Sequence, residues 1–245
     1  SFCLYFIFAA RLERSSFCVA KRNKKAGVED GNRRHKKLNL AIRQSQISDQ
    51  ISEILWKKCI FESMKRKVLL IYTGGTIGME KDYETGSLRA FDFGNIFQKL
   101  PEMKLIECEV DVHPFKKPLD SSDMGTKEWK IIAKLIGKNY DLYDGFVILH
   151  GTDTMSYTAS ALSFMLKNLS KPVILTGSQL PIGDLRTDAK ENLLTTLYYA
   201  SLYENNEAVI QEVTIYFEYK LLRGNRTLKY SAEYFDAYQS PNYPA

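Results

Sequence analysis

The feature that most limits what this chain can become is a pattern that recurs three times: a short apolar run that stops in a cluster of small polar residues. Val68-Leu69-Leu70-Ile71-Tyr72 runs into Thr73-Gly74-Gly75-Thr76, and Gly145-Phe146-Val147-Ile148-Leu149-His150 into Gly151-Thr152-Asp153-Thr154. Pro172-Val173-Ile174-Leu175-Thr176 runs into Gly177-Ser178-Gln179. Runs without polar alternation suit strands covered on both faces. Lys127–Asn139 carries Trp129, Ile132, Ala133 and Ile136 at helical spacing, Ser156–Leu169 continues in the same way, and Ala189–Tyr203 reads as a third helix. Strands alternating with such helices predict an α/β fold: a doubly wound, mostly parallel sheet with helices on both faces. In that architecture ligands lie beyond the carboxyl ends of the strands, where the polar clusters fall.

The chain has 245 residues, enough for one sizeable α/β domain or a domain with an appendage. Its formal charge of +5 divides unevenly. Residues 1–63 hold 13 Lys+Arg against 6 Asp+Glu, net +7, while residues 64–245 hold 21 against 23, net −2. The larger segment therefore has no positive excess for neutralising phosphates, and a nucleic-acid partner is not expected. The cluster Arg33-Arg34-His35-Lys36-Lys37 lacks interleaved aromatics and reads as part of a solvated basic tail. Ile47 to Phe61 reads as a short helix. Met64-Lys65-Arg66-Lys67, just before the first apolar run, reads as the opening of a protein. The expected organisation is a basic extension over 1–63, disordered or not native, and a folded domain over 64–245.

The apolar run from Phe2 to Ala10 would be about 13.5 Å long as a helix, against about 30 Å of bilayer hydrocarbon. It cannot span a membrane, and no export signal or membrane partner is expected. Cys3, Cys18, Cys59 and Cys108 show no CxxC spacing, so neither a disulfide framework nor a zinc site is suggested, and a reducing cytosol is the simplest compartment.

Four clusters carry candidate chemistry. Thr73-Gly74-Gly75-Thr76-Ile77-Gly78 matches neither dinucleotide-binding nor P-loop spacing. It is either a turn that closes strand to helix or a backbone free to expose N–H groups to an oxyanion beside the Thr76 hydroxyl. In the second cluster Thr152 and Asp153 are either helix caps or a hydroxyl activated by an acid, and the preceding His150 is expected to pack at the strand end. Asp120-Ser121-Ser122-Asp123 could serve capping alone. Arg223-Gly224-Asn225-Arg226-Thr227-Leu228-Lys229, following the strand-like Val213–Phe217, brings a cation whose proton affinity an adjacent Asp can tune.

These segments occur in this order and at similar separations in bacterial L-asparaginases. Thr73 to Met79, Asp120 to Met124, Asp144 to Met155 and Arg223 to Thr227 all resemble that family, most closely its cytoplasmic, type I members, as do Tyr157 to Phe164 and Ser178 to Pro181. The resemblance covers about Met64 to Ala245. It implies hydrolysis of L-asparagine to L-aspartate and ammonia by a threonine nucleophile, with no metal and no cofactor. Thr76 would attack the amide carbon, and Thr152, Asp153 and Lys229 would activate a hydroxyl or water and carry protons. Asp120, Ser121 and Ser122, with Thr152 and Asp153, would bind the substrate. It also implies a cytoplasmic homodimer or homotetramer.

Two departures from the family pattern stand out. Ser87 occupies the position where the family often has an assisting Tyr, with Tyr83 nearby but shifted. The family's smaller C-terminal domain has no counterpart before Ala245, so the chain is expected to be an N-terminal catalytic domain that folds without being active alone. The rivals are a glutaminase-asparaginase, an amidotransferase subunit acting on misacylated tRNA, which the near-neutral 64–245 segment disfavours, and an inert fragment.

Overall fold

A computed structural model describes residues 65–81, 88–90 and 100–242, together with 46, 47 and 50. The chain divides into two units, Ser1–Glu62 and Ser63–Ala245, and the second contains every strand and helix named here. The basic tail, the Ile47 to Phe61 helix, Met64, and the loop with Tyr83 and Ser87 lie outside the described residues or almost wholly so.

Six strands form one sheet: β1 (Arg66–Gly74), β2 (Cys108–Leu119), β3 (Gly145–Leu149), β4 (Val173–Thr176), β5 (Val213–Phe217) and β6 (Lys220–Arg223). Their order is β6-β5-β4-β3-β1-β2. Only β6 is antiparallel to its neighbour; every other pairing is parallel. The expected doubly wound, mostly parallel architecture is the one observed. Strand order reverses at β1, so the crevice between the carboxyl ends of β1 and β3 is the topological switch point.

Among the described residues, three α-helices cover the sheet: α1 (Thr126–Asn139), α2 (Met155–Met165) and α3 (Ala189–Ala200). Side chains alternate across a strand, and the two resulting sets are buried by different helices. Val68, Leu70, Val147, Leu149 and Ile174 pack with Leu193 and Leu197 of α3. Leu69, Ile71, Phe146, Ile148, Val173 and Leu175 pack with Ile132 and Ile136 of α1 and Ala159 and Leu162 of α2. All five residues of β3 are buried, which is why its sequence shows no polar alternation.

The differences from expectation have local causes. α2 stops at Met165 and does not reach Leu169, because Leu166 is extended and Asn168 has φ 55°. α3 ends at Ala200, and Tyr203 instead pairs with Ala208 in a small ribbon. β2 was not among the expected strands. It is the sheet edge, its exposure alternates, and it carries Pro114 and Pro118, which an edge tolerates and an interior strand does not. The β5–β6 hairpin turns through Glu218 (φ 45°) and Tyr219 (φ 60°), positive-φ positions usually signalled by Asn or Gly.

Candidate active site

The site is assembled by close backbone approach. β1 and β3 run in register, with Tyr72 opposite Leu149, so their polar turns begin side by side. Gly75 has φ +87°, and a Cβ there would lie 2.5 Å from the Gly151 Cα. A Cβ on Gly151 would lie 2.6 Å from the Ser121 side chain. Larger residues would push apart the three loops that carry Thr76, Thr152 and Asp120.

Thr76 is half-buried and opens a one-turn 3-10 helix, Thr76–Gly78. Tyr72 supports this turn from below by donating its hydroxyl to the Gly78 carbonyl at 3.2 Å. Among the described residues, the Thr76 side chain makes no hydrogen bond.

Thr152 and Asp153 do not cap α2. The cap position is Thr154, which makes no side-chain cap bond and instead donates its hydroxyl to the Ser121 carbonyl at 2.6 Å. Lys229 Nζ donates to Thr152 Oγ1 at 2.9 Å and to Asp153 Oδ1 at 2.7 Å. The Lys229 side chain is only 12% exposed and that of Asp153 is 68% exposed, so the pair is rooted in protein on the cation side and open to water on the carboxylate side. A cavity of about 440 Å³ adjoins the pair, between Tyr157 and Ser160 of α2 and the Thr227–Ala232 segment.

Asp120 does cap the short 3-10 turn that follows it. Its Oδ1 accepts from Ser122 N at 2.9 Å and from Ser122 Oγ at 2.8 Å. These two hydrogen bonds hold the exposed Asp120 carboxyl below its usual range, so it is ionised at neutral pH and can face a cation. Ser121 is buried against Gly151, while Ser122 is exposed. Of the expected residues, Thr152 and Asp153 are each hydrogen-bonded to Lys229. Thr76 and the Asp120 turn are brought alongside through Gly75, Gly151 and Ser121.

His150 serves as foundation, as expected. It is fully buried, with Nδ1 2.7 Å from the Gly151 carbonyl and Nε2 2.9 Å from Thr158 Oγ1. A carbonyl only accepts, so the neutral ring carries its proton on Nδ1 and Nε2 accepts from the Thr158 hydroxyl, which itself receives the Trp129 indole N–H at 2.9 Å. Burial pushes the imidazole down to about 4. It is therefore neutral at physiological pH and orients the carbonyl just before Thr152.

Two contributors were not among the site residues expected from sequence. Tyr238, buried and in edge contact with the Phe217 ring, donates its hydroxyl to the Thr152 carbonyl; burial, with the Asp153 charge adding to it, raises its pKa, so it stays a donor. Gln179 accepts from Thr152 Oγ1 at 3.4 Å and donates its amide to the Tyr234 carbonyl at 2.8 Å. Gln179 had a signal, its place in the polar cluster after β4. Tyr238 had none, since its partner lies 86 residues away.

Among the described residues, no group of His, Cys, Asp and Glu could hold a metal ion, and no helix is long and apolar enough to cross a membrane.

The chain is similar to several known proteins, L-asparaginases among them. The chain is 50% identical over 184 residues to L-asparaginase 1 of Escherichia coli K12, covering 74% of this chain and 52% of that protein. It is 40% identical over 203 residues to an L-asparaginase of Dirofilaria immitis, covering 71% of this chain and 33% of that protein. The solved structure of L-asparaginase I from Vibrio cholerae superposes with a TM-score of 0.63 at 46% identity, over 74% of this chain and 53% of that one. The chain thus spans about half the length, or less, of the curated relatives it matches. The family model described as "Asparaginase, N-terminal" matches residues 67–245, and with these loops at the strand ends the chain belongs to the asparaginase family.

Proposed function

We propose that the protein hydrolyses the side-chain amide of L-asparagine to L-aspartate and ammonia. The observation that carries this is the placement of Lys229 Nζ between Thr152 Oγ1 and Asp153 Oδ1, beside the Gly75–Gly151 contact that brings in Thr76. A threonine hydroxyl is a weak nucleophile at its own pKa and needs a group to take its proton as it attacks. Thr76 is the attacking residue. Its hydroxyl is free of partners among the described residues, whereas Thr152 Oγ1 is already held by Lys229.

Attack on the amide carbon forms a C–O bond as the Thr76 hydroxyl proton passes to the Thr152–Lys229–Asp153 group, and negative charge builds on the amide oxygen, which backbone N–H groups of the glycine turns stabilise. The C–N bond then breaks, a proton delivered through Thr152, Lys229 and Asp153 completes ammonia, and water hydrolyses the acyl-threonine ester to release aspartate. Asp120 faces the substrate's α-ammonium, and Ser121 and Ser122 complete the hold on its amino-acid end. The chemistry of the donor set calls for no cofactor. By likeness to the type I enzymes, the protein works in the cytoplasm as a homodimer or homotetramer.

An ammonia-release assay on the complete gene product with asparagine and with glutamine tests the proposal. Turnover with asparagine preferred is the expected result; preference for glutamine would move the protein to the glutaminase-asparaginases, and no turnover of either amide contradicts amide hydrolysis altogether.

A further inference from the structure

Behind the candidate site lies a buried polar network that none of the proposed chemical steps uses. Asp188, 9% exposed at the start of α3, accepts the Gln179 N–H on Oδ2 at 2.9 Å and the Leu180 N–H on Oδ1 at 3.1 Å. Asn192, fully buried one turn later, donates to the Gly177 carbonyl at 3.0 Å and to Asp188 Oδ2 at 3.3 Å, and its oxygen accepts the Glu218 N–H at 3.1 Å. Thr187 and Ser178 hydroxyls both donate to the Leu180 carbonyl. The backbone of the turn after β4 is therefore fixed at each polar atom these contacts reach.

What the fixed turn presents is the Gln179 side chain. Its oxygen accepts from Thr152, and its amide donates to the carbonyls of Ala232 and Tyr234, at 3.2 and 2.8 Å. Those carbonyls belong to the loop that begins just after Lys229. Gln179 thus ties the loop that bears Thr152 to the loop that bears Lys229, and a carboxylate that takes two successive backbone N–H groups is what sets its direction. A buried charge so fully hydrogen-bonded, with no contact to the cavity, is costly to leave half-paired and therefore rigid.

We propose that Asp188 is a positioning residue for the amide hydrolysis, acting through Gln179 to hold Lys229 Nζ against Thr152. The inference rests on the proposed function, because it assigns Asp188 a part in that reaction. Loss of the carboxylate lets the Gln179 turn rotate, and the Thr152–Lys229 hydrogen bond becomes one of several arrangements. Substrate binding at the Asp120 turn does not pass through this network, so kcat falls while KM holds.

Asp188→Asn, Gln179→Met and the double variant, made in the complete gene product, test this. Each single variant should lower kcat about tenfold with KM within about twofold, and Asp188→Asn should add less than twofold once Gln179 is Met, since residues acting as one unit are not additive. An Asp188→Asn loss that multiplies in full on the Gln179→Met background, or a parent-like kcat, overturns the proposal. A second measurement needs no turnover: acylation of Lys229 by a small amine-reactive ester, read by mass spectrometry. Its rate should rise several-fold in Asp188→Asn and in Gln179→Met, the second of which alters only a half-buried side chain. An unchanged rate in both overturns the positioning role even if the parent hydrolyses asparagine; a raised rate in a parent that hydrolyses neither amide overturns the assignment to amide hydrolysis while the tie from Asp188 to Lys229 stands.

Discussion

The two ends of the sheet use the same kinds of residue to opposite effect. At the amino end, Arg66 is bonded to Asp144 at 3.4 Å and to Asn206 at 2.7 Å and lies over the Tyr203 ring at 4.1 Å. Asp144 in turn accepts the Lys67 N–H, and its carbonyl accepts the Tyr203 hydroxyl. This charge cluster is closed on itself. At the carboxyl end, Lys229 is also held by a carboxylate, but that carboxylate faces water, and the neighbouring Thr76 hydroxyl has no partner among the described residues. A satisfied cluster contributes stability; one left with open valences beside a crevice is available to a substrate. Substitutions at the open end should therefore cost turnover, and those at the closed cluster of the amino end should cost stability.

The largest effect is expected at Thr76. Thr76→Val removes the hydroxyl with little change of volume, and kcat should fall on the order of 10³-fold or more while the thermal midpoint stays near that of the parent. If Thr76 only closed the turn, kcat would be nearly unchanged, and steady-state kinetics with a melting curve separates the two.

The next effect shows that the open end stands on closed foundations. The folded-state pKa of His150 is about 4 against an ordinary 6.5, so the unfolded chain binds the extra proton first as pH falls. The stability held by neutral His150 is complete above pH 6.5 and is lost on descending towards pH 4, on the order of 3 kcal/mol over that window. Urea unfolding at pH 7 and pH 4.5 should show this loss in the parent and a smaller one in His150→Gln; equal losses would mean that the ring is not held neutral.

A smaller effect belongs to the substrate hold. Asp120→Ala should raise KM for asparagine about tenfold with kcat changed less, because an ionised carboxylate facing the α-ammonium contributes to binding before the amide reacts. A fall in kcat at constant KM would move Asp120 from binding to chemistry.

Much of this was legible in the sequence because burial on both faces leaves an unmistakable composition. The runs at Val68, Gly145 and Val173 could be little else than interior parallel strands, and their polar ends then had to share one edge. β2 was missed for the converse reason: half-exposed, its Cys108 to His113 stretch carries the apolar–polar alternation of an edge strand in place of a continuous apolar run, and Pro114 and Pro118 interrupt it. Thr152, Asp153 and Lys229 were nameable through family resemblance, but the choice between cap and chemistry was not. That choice depends on Lys229 arriving 77 residues later within 2.9 Å of Thr152. Asp188, Asn192 and Tyr238 were invisible for a related reason: their partners are chiefly backbone atoms, in the turn just before α3 for Asp188, in that turn and at Glu218 for Asn192, and 86 residues away for Tyr238, and backbone partners leave no trace in composition or spacing.

The most direct measurement makes the same change at both ends. Lys229→Met and Arg66→Met each remove a cation and keep an apolar stem, and each variant is assayed for kcat on asparagine and for unfolding free energy. Lys229→Met should lose on the order of 10³-fold in kcat with stability close to the parent's, while Arg66→Met should lose about 1 kcal/mol of stability with kcat unchanged. A Lys229→Met protein with near-parental kcat, or two variants that change in the same way, would contradict the assignment of amide chemistry to the carboxyl end of the sheet.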